Sequence, residues 1–503
     1  MAKKTNILLI DGKSLTLEDV AKVAYDPTIK VALTTAARKN VIASRNFVLS
    51  KMKAKEAIYG FNTGFGPLSD VRISDDKLDE LQINIVRSHA VGIGPALSIP
   101  ETRAAMLLRI NSHSSGFSGV SIDLIEAQLA LLNNGIHPVI PEQGSVGASG
   151  DLAPLAHMSL PLIGEGEVHF NGKVIDAKIA LKNAKLKPYK VQAKEGLALI
   201  NGTQIMTAIG TLVYLKSKRL SEIADLAGAM TVEALKGTAS AYDDDICRIR
   251  PHKGQREVAA HMRTLLQKSE IMESHKNCGK VQDPYSLRCI PQVHGMTRDV
   301  LARAKEVLQT EINSVTDNPL VFADKKKILS GGNFHGEYVG VAMDHLAMCI
   351  QELASISEQR IQKLVNPAMS GLPAFLMKDA GLNSGMMIVQ YAAASLVSEN
   401  KVLCHPATVD SIPTSADKED HVSMGTIAAV KSRRVLSNCW NVLAMEYLCA
   451  SQGLEFHLPL KPAIKVNAAY KEIRKRVPPI HKDRAFYKDI RAISELMETT
   501  LSP

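Results

Sequence analysis

One kind of pattern, long and helical, dominates the second half of this 503-residue chain in stretches of up to about thirty residues. It runs over 203–235, 336–365, 383–403 and 424–451, and in the second of these Met343, Leu346, Ile350 and Leu353 mark an apolar stripe at alternating three- and four-residue steps before Pro367 stops it. A helix of thirty residues spans about 45 Å, longer than a compact domain is wide. Such helices need neighbours along their whole length, which predicts a mainly α bundle that continues across subunits. Apolar residues make up 46% of the chain and aromatics only 4%, a balance that favours helix over strand.

The first two hundred residues read differently. A short opening strand ends at Ile10, two helices follow, one opened by the Thr16 run and one over 34–53, and a third covers 77–90. Ser121 is a candidate N-cap for a helix that Gly135 ends, and 167–170 with the turn Asn171-Gly172 reads as a hairpin. We divide the chain accordingly at 1–200, carrying the loops, and 201–503, carrying the long helices, as one continuous catalytic unit.

Several classes are disfavoured by composition. The net charge of +9 is scattered, and the basic runs at 325–327 and 471–476 are short and lack interleaved aromatics, so no nucleic-acid partner is expected. Seven cysteines without a CxxC pair read as reduced thiols of a cytoplasmic protein. Fifteen histidines show no HExxH spacing, and no catalytic metal is expected. The apolar run 205–215 is about half of what a bilayer requires, so no membrane partner is expected either.

Chemistry concentrates in GSVGASGDLAPLAH, residues 144–157. Three small residues, Ala148, Ser149 and Gly150, allow the backbone to fold back so that the Gly150 nitrogen approaches the Ala148 carbonyl carbon. Loss of water closes a five-membered ring, and loss of a second water from Ser149 leaves an exocyclic methylene. Asp151 is placed to orient or activate these groups. The plainer alternative is a glycine-rich turn before a helix; a phosphate loop is disfavoured because its Lys-Ser/Thr pair is missing.

The full string resembles the signature of the aromatic amino acid ammonia-lyases, whose Ala-Ser-Gly triad becomes 4-methylideneimidazol-5-one (MIO), a protein-derived group that needs no added cofactor. The resemblance implies an elongated helix bundle of the aspartase/fumarase-like type, with a mixed N-terminal part holding the MIO loop. It also implies a homotetramer whose sites draw on three subunits. Further strings match in family order. YGFNTGFG carries Tyr59, matching the catalytic tyrosine, which must fall below its ordinary value of about 10 to act as a base at neutral pH. LALINGTQ carries Asn201, and QDPYSLRCIPQVHG carries Tyr285 and Arg288, the latter matching the arginine that binds the substrate carboxylate. SGGNFHGE carries Phe334, matching a residue near the MIO.

SHAVGIG with His89 and SADKEDHVSMG with Glu419 resemble the branch that acts on L-histidine, releasing ammonia and trans-urocanate in the first step of histidine degradation. A carboxylate beside an aromatic ring is costly unless a cationic or hydrogen-bonding partner meets it, and imidazole is such a partner. Lys418 departs from the glutamine common at that position. Rival readings are a phenylalanine or tyrosine ammonia-lyase, an aminomutase, or, in another class, an inactive helical oligomer or nucleic-acid binder.

Overall fold

The computed structural model describes residues 6–53, 60–64, 66 and 71–501. The chain is mainly α, and among the described residues its few strands form three pairs and one three-stranded sheet. It falls into two compact units, and the first is not a single stretch: residues 1–213 are joined by 305–344 and 406–430. A single boundary near 200, as expected from the sequence, does not describe this division, because two later segments return to the first unit. The second unit comprises 214–304, 345–405 and 431–503.

In the first unit, strand Ile7–Ile10 pairs in parallel with Lys30–Leu33 around the helix Leu17–Tyr25. That helix starts where its sequence dictates: the Thr16 hydroxyl accepts from Asp19 N, and the Asp19 carboxylate returns to the Thr16 backbone. Ser98 and Glu101 repeat the device on Ile99–Ser114. This second helix is buried from Glu101 to Ser114, with polar groups on all sides, so it carries no stripe to read. Its buried polar side chains find specific partners instead: Arg103 Nε donates to Val23 O at 2.8 Å and Arg109 Nη1 to Asn201 O at 2.8 Å. The Ser121 cap is present, with Ser121 Oγ accepting from Leu124 N at 3.1 Å at the start of Ile122–Asn133. The hairpin is also present, as Glu167–Phe170 against Lys173–Asp176.

The long helices are Gln204–Ala234, Ile290–Glu311, Glu337–Val365 and Gly425–Glu455. Glu337–Val365 is long and apolar enough to cross a membrane, yet most of its apolar stretch is buried within the folded chain. In the second unit, Arg360 and Glu446 form a fully buried pair through Nε–Oε1 at 2.5 Å and Nη2–Oε2 at 2.8 Å. Ser357 and Thr231 donate to the same carboxylate at 2.6 and 2.7 Å, so its lone pairs are well satisfied. The helix expected from 383 begins at Met387 instead. Asp483 takes the amides of Ser384 and Gly385 at 2.7 and 2.9 Å and holds the chain off the helical path there. Among the described residues none of the seven cysteines forms a disulfide.

Candidate active site

The segment expected to be reactive is a strained turn that runs into a helix. Gly147, Ser149, Gly150 and Leu152 all have positive φ, at 79°, 50°, 81° and 31°, and the helix Ala153–Ser159 follows directly. The loop expected over 144–157 therefore ends at Leu152. Left-handed Ser149 and Leu152 each cost of order 1–3 kcal/mol, so the surroundings must impose them.

The constraint comes largely from Asn201-Gly202. Asp151 N donates to Gly202 O at 2.7 Å and Gly202 N to Ser149 O at 3.1 Å, clamping the two strings together. A Cβ on Gly150 would lie 2.1 Å from Gly202 O. Gly150→Ala is accordingly expected to part the strings, lowering stability by about 2 kcal/mol or more and removing activity; a thermal melt beside a rate assay checks both.

Asp151 is fully buried. Its carboxylate accepts from Ile205 N at 2.7 Å and Thr426 Oγ1 at 2.8 Å, and it faces the first turn of Gln204–Ala234. Burial pushes its carboxyl up to about 7, against the lowering effect of these donors and of Arg109.

Beside this turn lies a cavity of about 970 Å³. Ser149, His89, Asn201, Phe334 and Glu419 all line it, as does Lys418. Glu419 Oε1 stands 3.4 Å from Ser149 Oγ, while its other oxygen accepts from Thr414 Oγ1 at 2.9 Å. The backbone enforces that pose: Thr414 and Glu419 bridge each other across a turn in which Ser415, Ala416 and Asp417 all have positive φ. His89 closes the helix Leu78–His89, and its Nδ1 lies 3.1 Å from Ser88 Oγ. Desolvation pulls the His89 imidazole below its ordinary value, opposed by a bond to the Ile85 carbonyl and by the Glu419 charge.

Asn201 is set from behind. Its Nδ2 donates to Asn318 O at 3.2 Å and to Asp317 Oδ1 at 3.4 Å, and its carbonyl accepts from Arg109. Asp317 Oδ2 in turn meets Lys194 Nζ at 2.8 Å, both side chains 0% exposed. Burial acts against both charges, but the Lys194 ammonium still holds Asp317 below the usual carboxylate range.

Of the other expected residues, Ala148 is buried against Val422 and Met424 beneath the turn. Tyr59 lies outside the described residues. Tyr285 and Arg288 belong to the second unit, on the short helix Tyr285–Arg288, and are not among the residues lining the cavity. Tyr285 is 70% exposed, and the Arg288 guanidinium stacks 4.5 Å from its ring centre. Thr414, Lys194 and Asp317 were not expected from sequence, since no spacing or motif marks them.

Residues 15–475 match the family model described as aromatic amino acid lyase. A histidine ammonia-lyase of Myxococcus xanthus is 52% identical over 492 residues, covering 98% of this chain and 97% of that relative. The crystal structure of histidine ammonia-lyase from Trypanosoma cruzi is similar with a TM-score of 0.91 at 41% identity, covering 98% of this chain and 93% of that one. The tyrosine aminomutase of Streptomyces globisporus is similar with a TM-score of 0.91 at 37% identity, covering 97% and 96%.

Proposed function

The chain belongs to the aromatic amino acid lyase family, and from that premise we propose that it removes ammonia from L-histidine without oxidation, leaving trans-urocanate. The observation that carries this reading is the Glu419 carboxylate, fixed by Thr414 and 3.4 Å from Ser149 Oγ, in a cavity shared with His89. An imidazole gives that carboxylate the hydrogen-bonding or cationic partner it needs, whereas a phenyl ring gives it none.

The triad suits a protein-derived MIO. Ser149 is already left-handed, Gly150 has no room for a Cβ, and Ala148 is small and buried. Formed from these three residues, the group would supply an electrophile that makes the substrate amine a better leaving group. Asp151, with a carboxyl near neutral, is suited to exchange a proton with the turn as it matures.

Around it, the side chains divide the remaining tasks. Glu419 and His89 hold the imidazole, Phe334 packs against the ring, and Asn201 presents its amide to the substrate's polar end. Tyr59 takes the β-proton, a role resting on its string alone. Arg288 and Tyr285 come from another copy of the chain in a homotetramer and grip the carboxylate through a bidentate guanidinium contact. The setting is the cytoplasm.

A panel of L-histidine, L-phenylalanine and L-tyrosine, read by the ultraviolet bands of the acrylates and by chromatography of amino products, tests the assignment. Urocanate as the dominant product supports it. Cinnamate, coumarate or a β-amino acid with no urocanate overturns it. Glu419→Gln is expected to lower kcat/KM for L-histidine by about 2–3 kcal/mol, or 30- to 150-fold, by removing a charge-assisted hydrogen bond. Any residual rate on L-phenylalanine should fall much less, and equal losses on both substrates would mean that Glu419 does not read the imidazole.

A further inference from the structure

We propose that His335, Glu337 and His421 form a binding site for one divalent ion of the zinc type. Their ligand atoms lie within 4.8 Å of one another. His335 Nε2 faces the His421 carbonyl oxygen at 3.1 Å, so this nitrogen carries the hydrogen and donates it. In the neutral ring the lone pair is then on Nδ1, and Nδ1 faces Glu337 Oε2 at 3.9 Å. That carboxylate oxygen is buried and has no hydrogen-bond partner among the described residues.

Two acceptors thus look toward one another across a gap too wide for a hydrogen bond, with no donor between them among the described residues. A cation resolves the arrangement. The third ligand is a ring nitrogen of His421, within 4.8 Å of the other two ligand atoms; the two imidazoles lie with centres 5.8 Å apart and planes 11° off parallel. A ligating histidine whose other nitrogen donates to a backbone carbonyl is the usual way a metal site fixes tautomer and ring orientation.

Zinc bonds to imidazole and carboxylate of about 2.0–2.2 Å place ligand atoms no more than about 4 Å apart. In a tetrahedron completed by water such bonds set ligand atoms about 3.4 Å apart, so a spread of up to 4.8 Å closes by about 1.4 Å, shared between two side chains. Two imidazoles and one carboxylate suit Zn²⁺, Co²⁺ or Ni²⁺ rather than Mg²⁺ or Ca²⁺.

This site stands apart from the proposed lyase chemistry, which needs no metal, and none of the three residues lines the cavity. Its neighbours do, however. Phe334 directly precedes His335, and Glu419 is two residues before His421. An ion held here would tie together the two segments that carry those cavity walls.

The test is calorimetric titration of chelator-treated full-length protein with ZnCl₂, supported by thermal melts and by the visible absorption of the Co²⁺-loaded protein. One ion per chain is expected, with a rise in Tm. His421→Ala and Glu337→Gln should each weaken binding at least tenfold and remove the Tm rise. Cys278→Ser, which removes the exposed thiol, should leave both unchanged. The proposal is overturned by absence of saturable binding, as an ordinary His335–Glu337 ion pair would give. It is equally overturned by binding indifferent to His421→Ala and Glu337→Gln, or by binding lost in Cys278→Ser.

Discussion

Ser149→Ala is expected to lower turnover on the order of a thousandfold or more while the protein melts at nearly the wild-type temperature. The large effect on rate follows from chemistry, since alanine has no hydroxyl to lose as the second water and the methylene cannot form. The small effect on stability follows from packing. The Ser149 hydroxyl makes one long contact, 3.4 Å to Glu419, and the clamp to Gly202 uses backbone atoms that alanine retains. Steady-state assay with L-histidine beside a thermal melt separates these effects. Activity within tenfold of wild type would remove the reason for assigning any reactive role to this turn.

The second large effect is expected behind the cavity. Lys194→Met leaves Asp317 buried without its closest cation and should destabilise the chain by about 3–5 kcal/mol, the usual consequence of stranding a buried charge. The proximity of Arg109 places the expectation toward the lower end of that range. In the wild type, Asp317 is held below its ordinary value of 3.8. The pair's contribution is therefore fully present above that pH and is lost as acidification carries the solution through the lower folded value. In the variant the carboxyl rises instead, so stability should decline as the pH is raised toward neutrality. Denaturant titrations at several pH values read both slopes. The double variant Lys194→Met with Asp317→Leu should recover much of the loss, because both charges are then absent.

These two sites differ in how far sequence reveals them. The turn at 148–150 is legible because its peculiarity lies in adjacent residues: small side chains in a row permit a backbone that others forbid. The partners that enforce it are remote. Lys194 meets Asp317 across 123 residues, and Asn201 meets Asp317 across 116. Neither pairing leaves a period or a motif. Thr414 is close to Glu419 in sequence, yet it contacts that carboxylate only because Ser415, Ala416 and Asp417 are all left-handed, a conformation that Asp favours but that Ser and Ala do not announce.

The fold shows the same division. Gln204–Ala234 and Glu337–Val365 lie within a residue or so of their expected bounds, the first as a long apolar run buried on nearly all sides and the second through a stripe that one side must bury. Ile99–Ser114 has no such contrast, because Arg103, Arg109, Asn111 and His113 are buried on it along with its apolar residues. The strand Lys30–Leu33 leaves no signal for a different reason, being four residues long and held by remote partners, its pairing with Ile7–Ile10 and the Asn133 amide on the Val31 backbone. Ile290–Glu311 also escaped, its pattern being opened by proline and polar residues.

The assignment of Tyr59, Arg288 and Tyr285 rests on matching strings, and the assignment of Glu419 and His89 rests also on a shared cavity. All of it presupposes that the turn at 148–150 matures. Intact-mass measurement of freshly purified, active protein tests that directly. A mass two waters below that of the linear sequence, with the loss mapped to the peptide containing Ala148, Ser149 and Gly150 and absent in Ser149→Ala, is the expected result. Active wild-type protein at its full linear mass would contradict it.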